Sequence, residues 1–526
     1  MAAQNVTRPR PHGTGLRGAN LSRSSPLFGG PFGRIFRALP PADFGDDDQH
    51  TLAALAVLAG KMISPADPAD PKDGPDTEEG GIPAAYTYFG QFIDHDLTFD
   101  PASSLQKQND PDALVDFRTP RFDLDNVYGR GPDDQPYLFE DGRAFILGRQ
   151  LTGAAANPRA RDLPRSQVNA PQTNPRRAII GDPRNDENII VSQLQGLFHR
   201  FHNKLAADHP DWSFTEVQRE VRFHYQWAVL NDFLPALVSR EVLDQVVPHV
   251  GKKSNHRLHE PHLEFYHPKE DLFMPLEFSA AAYRFGHSMV RPGYRLSETV
   301  GPLSIFTFND PLKGLTGFRE FPANWAIDWN LFVDLEPRDP GDPNNPNDPG
   351  NKTRTQLAYK IDTSLVNPLG NLPPSVAINP NILALRNLER GWRMRLPTGQ
   401  DIARAMGLKP LPDSQILIGK FTGAPADIIG PIDQIDPAFK ENCPLWTYVL
   451  AETVETEVTI KTTKGDRKIK TRKLGPVGGR IVAETFVGIL LGDSSSFLAQ
   501  NPLWTPGLAV NGVFGLRELI ATALQG

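Results

Sequence analysis

The feature that most constrains this chain is a run of apolar residues starting near Glu187. Ile190, Leu194, Leu197, Phe198, Phe201 and Leu205 recur at i, i+4, i+7, i+8, i+11 and i+15, which is one broad face of an α-helix. A face that wide must be buried against other elements, so the chain builds a helical core around it. Other segments repeat the pattern. Asp46 to Ile63 places Leu52, Leu55, Leu58 and Met62 on one stripe, and a helix is predicted from Ala84 to Leu97. Ser213 and Glu216 form a capping box for a further helix, which is expected to bend or break at Pro235. Residues 276–291 read as one helix ended by Pro292, and helical segments return from Asn381.

Between these helices the chain is irregular. Gly and Pro number 44 and 50 in 526 residues, too few for a low-complexity polymer and enough to interrupt regular structure throughout. Residues 1–40, rich in Arg, Pro, Gly and Ser, read as an N-terminal arm, extended or disordered. Residues 64–82 and most of 100–175 read as loop, and 339–352 (DPGDPNNPNDPGNK) as an exposed excursion. Residues 456–474 alternate in part around Lys464-Gly465-Asp466, the pattern of a charged β-hairpin inserted between helices, either a solvated decoration or a docking surface. No internal repeat is present. The fold class expected is mainly α, with long irregular loops and a small β-hairpin insertion, residues 41–526 forming a single domain.

Charge and cysteine content narrow the function. The net charge is −7, which argues against a general nucleic-acid binder. Cys443 is the sole cysteine, so no intramolecular disulfide or multi-cysteine zinc site can form, and a metal must be held by His, Asp, Glu or carbonyl oxygens. No apolar stretch is long enough to span a membrane, and no apolar h-region follows the basic start. A cytoplasmic protein, or one exported without a conventional signal, is expected.

Three segments carry chemistry. In YFGQFIDHDLT (88–98), Gln91 and His95 are four apart and share a helix face, with Asp94 beside it and Asp96 turned away. That geometry offers a base and an amide to one pocket and a carboxylate to a second site, although a structurally satisfied histidine would give the same pattern. In GDPRNDEN (181–188), Arg184 sits just before the long helix, and Asp186 and Glu187 also suit its dipole. In AYRFGHSMV (282–290), His287 is either a core histidine or an axial iron ligand.

In this order and wording, FGQFIDHDLT, then GDPRNDEN leading into a helix with HRFHNKLA, then AYRFGHSMV, the chain resembles the animal-type haem peroxidases (the peroxidase–cyclooxygenase superfamily). The resemblance runs from residue 45 to the C-terminus, anchored at 86–99, 119–129, 181–206, 278–292 and 383–397, and GPVGGRIVAE (475–484) is similar to bacterial members.

The resemblance implies haem b as cofactor and the following roles. His95 matches the distal histidine, Gln91 the distal glutamine and Arg184 the distal arginine. His287 matches the proximal iron ligand, and Asn387 the asparagine accepting its second N–H, which would raise ligand basicity. Arg284 and Arg390 match residues contacting the haem and its propionates, although the family's R-x-R-D-H-G is replaced here by Arg390-Gly-Trp-Arg-Met-Arg395. Asp94 and Glu187 match the carboxylates that form ester bonds to haem methyls in mammalian-type members. Asn188 stands where one member has a sulfonium-forming methionine, so no such link is expected. A Ca2+ site is implied at Asp96, Thr119, the carbonyl of Arg121, Asp123, and Asp125 in place of the family's serine, all oxygen donors as calcium requires.

The activity implied is reduction of hydrogen peroxide, through a ferryl intermediate, at the expense of a small electron donor such as halide, thiocyanate or phenol. Fatty-acid dioxygenases of the same superfamily carry a radical tyrosine three residues before the proximal histidine. Here Arg284 holds that position and Tyr283 is four before. A non-catalytic haem- or calcium-bearing scaffold would lack His95 or Arg184. Oligomeric state is not written in any motif, and a monomer is the default.

Overall fold

The structure is a computed structural model that describes residues 30–64, 73–99, 115, 116, 118–166, 176–250, 261–268, 271–307, 310, 313–374 and 376–526. Most of the predicted arm lies outside the described residues. Residues 30–40, read with it, are instead woven into the fold. Gly30–Gly33 pairs with Val115–Asp116 and Met274–Pro275, Phe32 and Phe36 are buried, and the backbone N–H groups of Ile35 and Phe36 donate to Glu277.

The protein is mainly helical. The helices that position the site are α1 (Asp48–Lys61), α2 (Ala85–Leu97), α3 (Ile189–Asp208), α4 (Phe214–Ala228), α5 (Leu383–Arg393), α6 (Pro476–Gly492) and α7 (Leu516–Ala523). Their starts follow capping chemistry. Asp47 accepts from the His50 N–H, Asn188 from the Ile190 N–H, and Ser213 and Glu216 complete the capping box. Among the described residues one contiguous buried core joins these helices. At its centre α2 lies against α3, with the Phe92 and Phe198 rings stacked 4.4 Å apart, and Tyr225 of α4 meets both rings edge-on. Each such aromatic contributes about 1.5–3 kcal/mol by burial, so the predicted α3 face anchors the helix that carries His95.

Three expected elements differ. Residues 276–291 do not form one helix. They form a short turn at Leu276–Ser279 and a 3-10 turn at Ala282–His287, separated by Ala281 at φ −138° and ψ −74°. The broken path leaves His287 half-buried at the end of its turn instead of inside a helix. At Pro235 the helical path does not break; it widens into a π-turn at Val229–Phe233 and continues to Leu237. The wider turn removes the demand for an i→i−4 bond that proline cannot donate. Residues 79–83, read as loop, form β1 (Glu79–Pro83), paired with β2 (Leu357–Tyr359).

The hairpin forms as β3 (Val454–Thr462) and β4 (Gly465–Lys473). Its turn is Thr463-Lys464, since Thr462 pairs with Gly465, so the centre sits one residue earlier than expected. The hairpin packs onto β1, where Gly81 has φ +73° and an added Cβ would lie 2.4 Å from Val458 Cγ2. Only glycine fits both the backbone angle and the space. Residues 343–347 are exposed as expected, but the flanks of 339–352 are mostly half-buried or buried, and buried Asn351 closes the loop by donating to the carbonyls of Asp342 and Asn345.

Candidate active site

Helix α2 presents Gln91 and His95 toward the turn that precedes α3. Gln91 Nε2 donates to Glu187 Oε1 at 2.5 Å, and the same oxygen lies 3.4 Å from His95 Nε2. The other His95 nitrogen, Nδ1, lies 2.7 Å from Asn185 Oδ1. His95 is buried, while Gln91 and Glu187 are half-buried at the mouth of the same space.

His287 approaches the same carboxylate. Burial pushes its imidazole down to about 3, the nearby Arg284 guanidinium pushes it the same way, and Glu187 opposes both. The imidazole is therefore neutral, the form that ligates a metal. Its Nδ1 lies 2.8 Å from Asn387 Nδ2, and Asn387 Oδ1 accepts from Arg284 Nη1 at 3.2 Å. In this orientation the amide donates to His287 Nδ1. A half-turn of the carboxamide makes its oxygen the acceptor for Nδ1–H and bares Nε2 as a ligand, which requires Arg284 to find another acceptor.

Arg284 is suited to that exchange. It is half-buried, its side chain donates to the Ser279 carbonyl as well as to Asn387, and burial with Arg390 and Arg386 nearby pushes it down to about 10 against the pull of Asp94. Arg386 and Arg390 thus stand near Arg284, a gathering of positive charge that suits carboxylate groups on a ligand. Asp94 accepts from Thr98 Oγ1 at 3.1 Å and also raises Tyr283, whose hydroxyl donates to the Gly90 carbonyl. Segments around 91–95, 184–187, 284–287 and 387–390 therefore meet, though they are far apart in sequence.

Arg184 is also buried here. Its guanidinium donates to both Asp182 oxygens and to the His95 carbonyl at 2.9 Å, and lies 4.4 Å from the Phe99 ring centre. Asp182 binds a second guanidinium, Arg118, through Nε at 3.0 Å. Burial alone would raise Asp182, but Arg118 and Arg184 outweigh it and hold its carboxyl well below the usual range. Arg118 continues to Asp125 Oδ2 at 3.3 Å.

On the far side of α2, Asp96, Asp123 and Asp125 offer oxygens that all lie within 4.8 Å of one another. Both carboxylate oxygens of Asp96 and Oδ1 of Asp125 are buried without a hydrogen-bond partner. Burial first, and then mutual repulsion, raise Asp96 far above the usual carboxylate range and Asp125 to about 7. Three clustered carboxylates, two of them with orphaned buried oxygens, are costly without a cation. Thr119 Oγ1 donates to Asp123 at 2.5 Å, and Arg121 reaches away toward Asp493 at 3.6 Å while its backbone turns back to Thr119.

Sequence reasoning passed over Asn185, Asp182, Arg118 and Gln195. Asn185 adjoins Arg184, and Gln195 and His199 are four apart on α3, so spacing alone hints at the last pair. Nothing local marks Arg118 or Asp182.

A family model for the animal haem peroxidases matches residues 103–309. Chorion peroxidase of Aedes aegypti is 30% identical over 221 residues, 38% of this chain and 26% of that protein. Thyroid peroxidase of Sus scrofa is 31% identical over 122 residues, 22% of this chain and 12% of that protein. The matches span about a quarter or less of these relatives' lengths. Peroxidase A from Dictyostelium discoideum superposes over 94% of this chain and 93% of its own with a TM-score of 0.55 at 16% identity, a likeness of fold. Residues 103–309 of the chain thus match the animal haem peroxidase family, and the likeness to Peroxidase A extends the shared fold over most of the chain. Haem is the group that the family's name carries, and a neutral His287 beside Asn387, with Arg284 and Arg390 nearby, is a residue set that fits it.

Proposed function

We propose that this protein is a haem-dependent peroxidase that reduces hydrogen peroxide and oxidises a small donor, halide, thiocyanate or phenol. The observation that carries the reading is that His95 Nε2 lies 3.4 Å from Glu187 Oε1 while the charge of the same carboxylate reaches a neutral His287, held by Asn387. His287 would hold the iron through Nε2, with Asn387 accepting Nδ1–H, and Arg284 and Arg390 would meet the propionates. When bound, haem supplies an iron centre that peroxide can oxidise by two electrons.

The chain's own residues manage protons and charge. His95 Nε2 takes the proton from one peroxide oxygen and delivers it to the other, which leaves as water. Arg184, fixed by Asp182, places positive charge beside the separating oxygens. Gln91 holds Glu187. Asp94 and Glu187 would be the carboxylates that form esters with haem methyls, each carboxylate O–C bond replacing a methyl C–H bond as peroxide takes the two electrons.

We further propose that Ca2+ occupies Asp96, Asp123 and Asp125, with Thr119 and the Arg121 carbonyl completing an oxygen shell. Because Asp96 follows His95 directly, the cation would pin the distal end of α2. Among the described residues no helix is long and apolar enough to cross a membrane.

Haem titration into the purified full-length protein should give a Soret band and peroxide-dependent oxidation of a dye donor. Absence of both overturns the reading. Oxygen uptake with linoleate, without peroxide, would assign a dioxygenase instead. Haem that stays with the protein through acid–acetone extraction, and leaves it in a Glu187→Gln, Asp94→Asn double variant, supports the ester links.

A further inference from the structure

A line of hydrogen bonds runs from the back of His95 into the core. His95 Nδ1 lies 2.7 Å from Asn185 Oδ1, Asn185 Nδ2 donates to Gln195 Oε1 at 2.8 Å, and Gln195 Nε2 lies 2.9 Å from His199 Nε2. Asn185 and Gln195 are 0% exposed and His199 1%. The line ends there. His199 Nδ1 has no hydrogen-bond partner, and its ring stacks on Phe145 with centroids 4.2 Å apart and planes within 4°.

The chemistry of such a line is restrictive. A carboxamide presents a donor at one end and an acceptor at the other, so two in series give the whole line one polarity. With His95 donating from Nδ1, Asn185 accepts and donates onward, Gln195 does the same, and His199 accepts at Nε2 and keeps its own proton on Nδ1. Reversal would have to turn every member at once and would move the His95 proton to Nε2. Neither amide can turn alone, because donor would then face donor in a dry interior, costing about 1–3 kcal/mol. Burial holds His199 neutral by pushing it down to about 3, so it carries one N–H, on Nδ1 in this polarity and on Nε2 in the reversed one.

Glu187 pulls the other way, since a carboxylate facing Nε2 favours a proton there. Its Oε1 stands off at 3.4 Å, however, and already accepts from Gln91, whereas the bond at Nδ1 is 2.7 Å. The amides decide between the two: Asn185 turns Oδ1, an acceptor, toward His95 Nδ1, and its Nδ2 donates to Gln195 Oε1.

We propose that Asn185, Gln195 and His199 are positioning residues that fix the tautomer of His95, holding its proton on Nδ1 and leaving the Nε2 lone pair toward the pocket. That is the form a general base needs. The proposal rests on the peroxidase reading for what His95 does, but not for where its proton lies. A core histidine that touches nothing in the pocket thereby sets the chemistry of one that does.

The test is spectroscopic. Full-length protein labelled with 15N in its histidine rings is studied alone and loaded with zinc protoporphyrin, a diamagnetic stand-in for haem, using long-range 15N–1H correlation. His95 should show a protonated Nδ1 and a bare Nε2 in both states. Asn185→Asp, which keeps an acceptor, should retain this pattern. Asn185→Leu, and His199→Phe at the far end, should each shift the tautomer ratio at least tenfold toward Nε2–H and slow the reaction of haem-loaded protein with peroxide at least tenfold, with haem affinity within twofold of wild type. A wild-type His95 protonated on Nε2 alone overturns the proposal. So does an unmoved ratio in His199→Phe with native circular dichroism, which decides the matter even if Asn185→Leu fails to fold. If the peroxidase reading alone is wrong, no Soret band forms, yet the spectra of the unloaded protein still report the tautomer.

Discussion

The His95 imidazole and the Glu187 carboxylate stand 3.4 Å apart, Nε2 to Oε1, and the same carboxylate acts electrostatically on His287. One residue at the start of α3 is thus common to both faces of the site. If that space takes haem on His287, replacing Asn387 by Ala should weaken haem binding about 10–100-fold through its effect on the ligand's orientation. His287→Ala should weaken it further. Haem titration followed by absorbance checks both, and equal affinity in wild type and His287→Ala would remove His287 as the ligand.

The orphaned oxygens of Asp96 predict a calcium requirement for stability. At a calcium concentration a hundredfold above the dissociation constant, the folded state should gain about 2.7 kcal/mol. Thermal melts with calcium and with chelator should differ in the wild type and coincide in Asp96→Asn. Because Asp125 is raised to about 7 without the cation, calcium affinity should fall as pH drops below that value, where protons compete for the same oxygens.

Arg118 bridges Asp182, which holds Arg184, and Asp125, beside the acidic cluster. Arg118→Leu leaves Asp182, itself 0% exposed, with a single guanidinium. Denaturant unfolding should show a loss of about 3–5 kcal/mol, the cost of breaking a buried charge pair from one side. A loss below about 1 kcal/mol would mean that Arg184 alone suffices.

Glu452 predicts a pH dependence unrelated to the haem site. Burial pushes it up to about 8 from 4.5, although the N–H groups of Val477 and Gly478 at the start of α6 donate to it. The folded chain holds this proton more tightly than the unfolded one. Its contribution to stability is therefore full below pH 4.5 and is lost as pH rises from there to about 8. The slope is at most about 1.4 kcal/mol per pH unit. Glu452→Gln should flatten that part of the curve, and parallel wild-type and variant melting curves from pH 5 to 8 would contradict the assignment.

Much of the helical frame was legible because its signals are local. The α3 stripe, the Ser213–Glu216 box and the alternation of the hairpin each follow from the period of a single element. The arrangement at His287 was not legible, because the bend at Ala281 answers to packing of Tyr283 against Phe278, Phe285 and Phe486 instead of to the apolar pattern of 276–291. The widened turn before Pro235 was equally hidden, since proline announces a missing donor but not how the neighbours absorb it.

Residue type and spacing by themselves singled out Gln91, His95, Asp96, Arg184 and His287 as candidates, and the resemblance added Asn387 and the particular roles. Hydrogen-bond partners across the core were decided only by tertiary structure. That Asn185 backs His95, that Asp182 shares Arg184 with Arg118, and that Asn387 is contested by Arg284 and His287 all depend on distances between remote segments. The physical reason is range. Periodicity and caps act over a few residues along the chain, whereas a buried polar group takes whatever partner the packed core brings within about 3 Å.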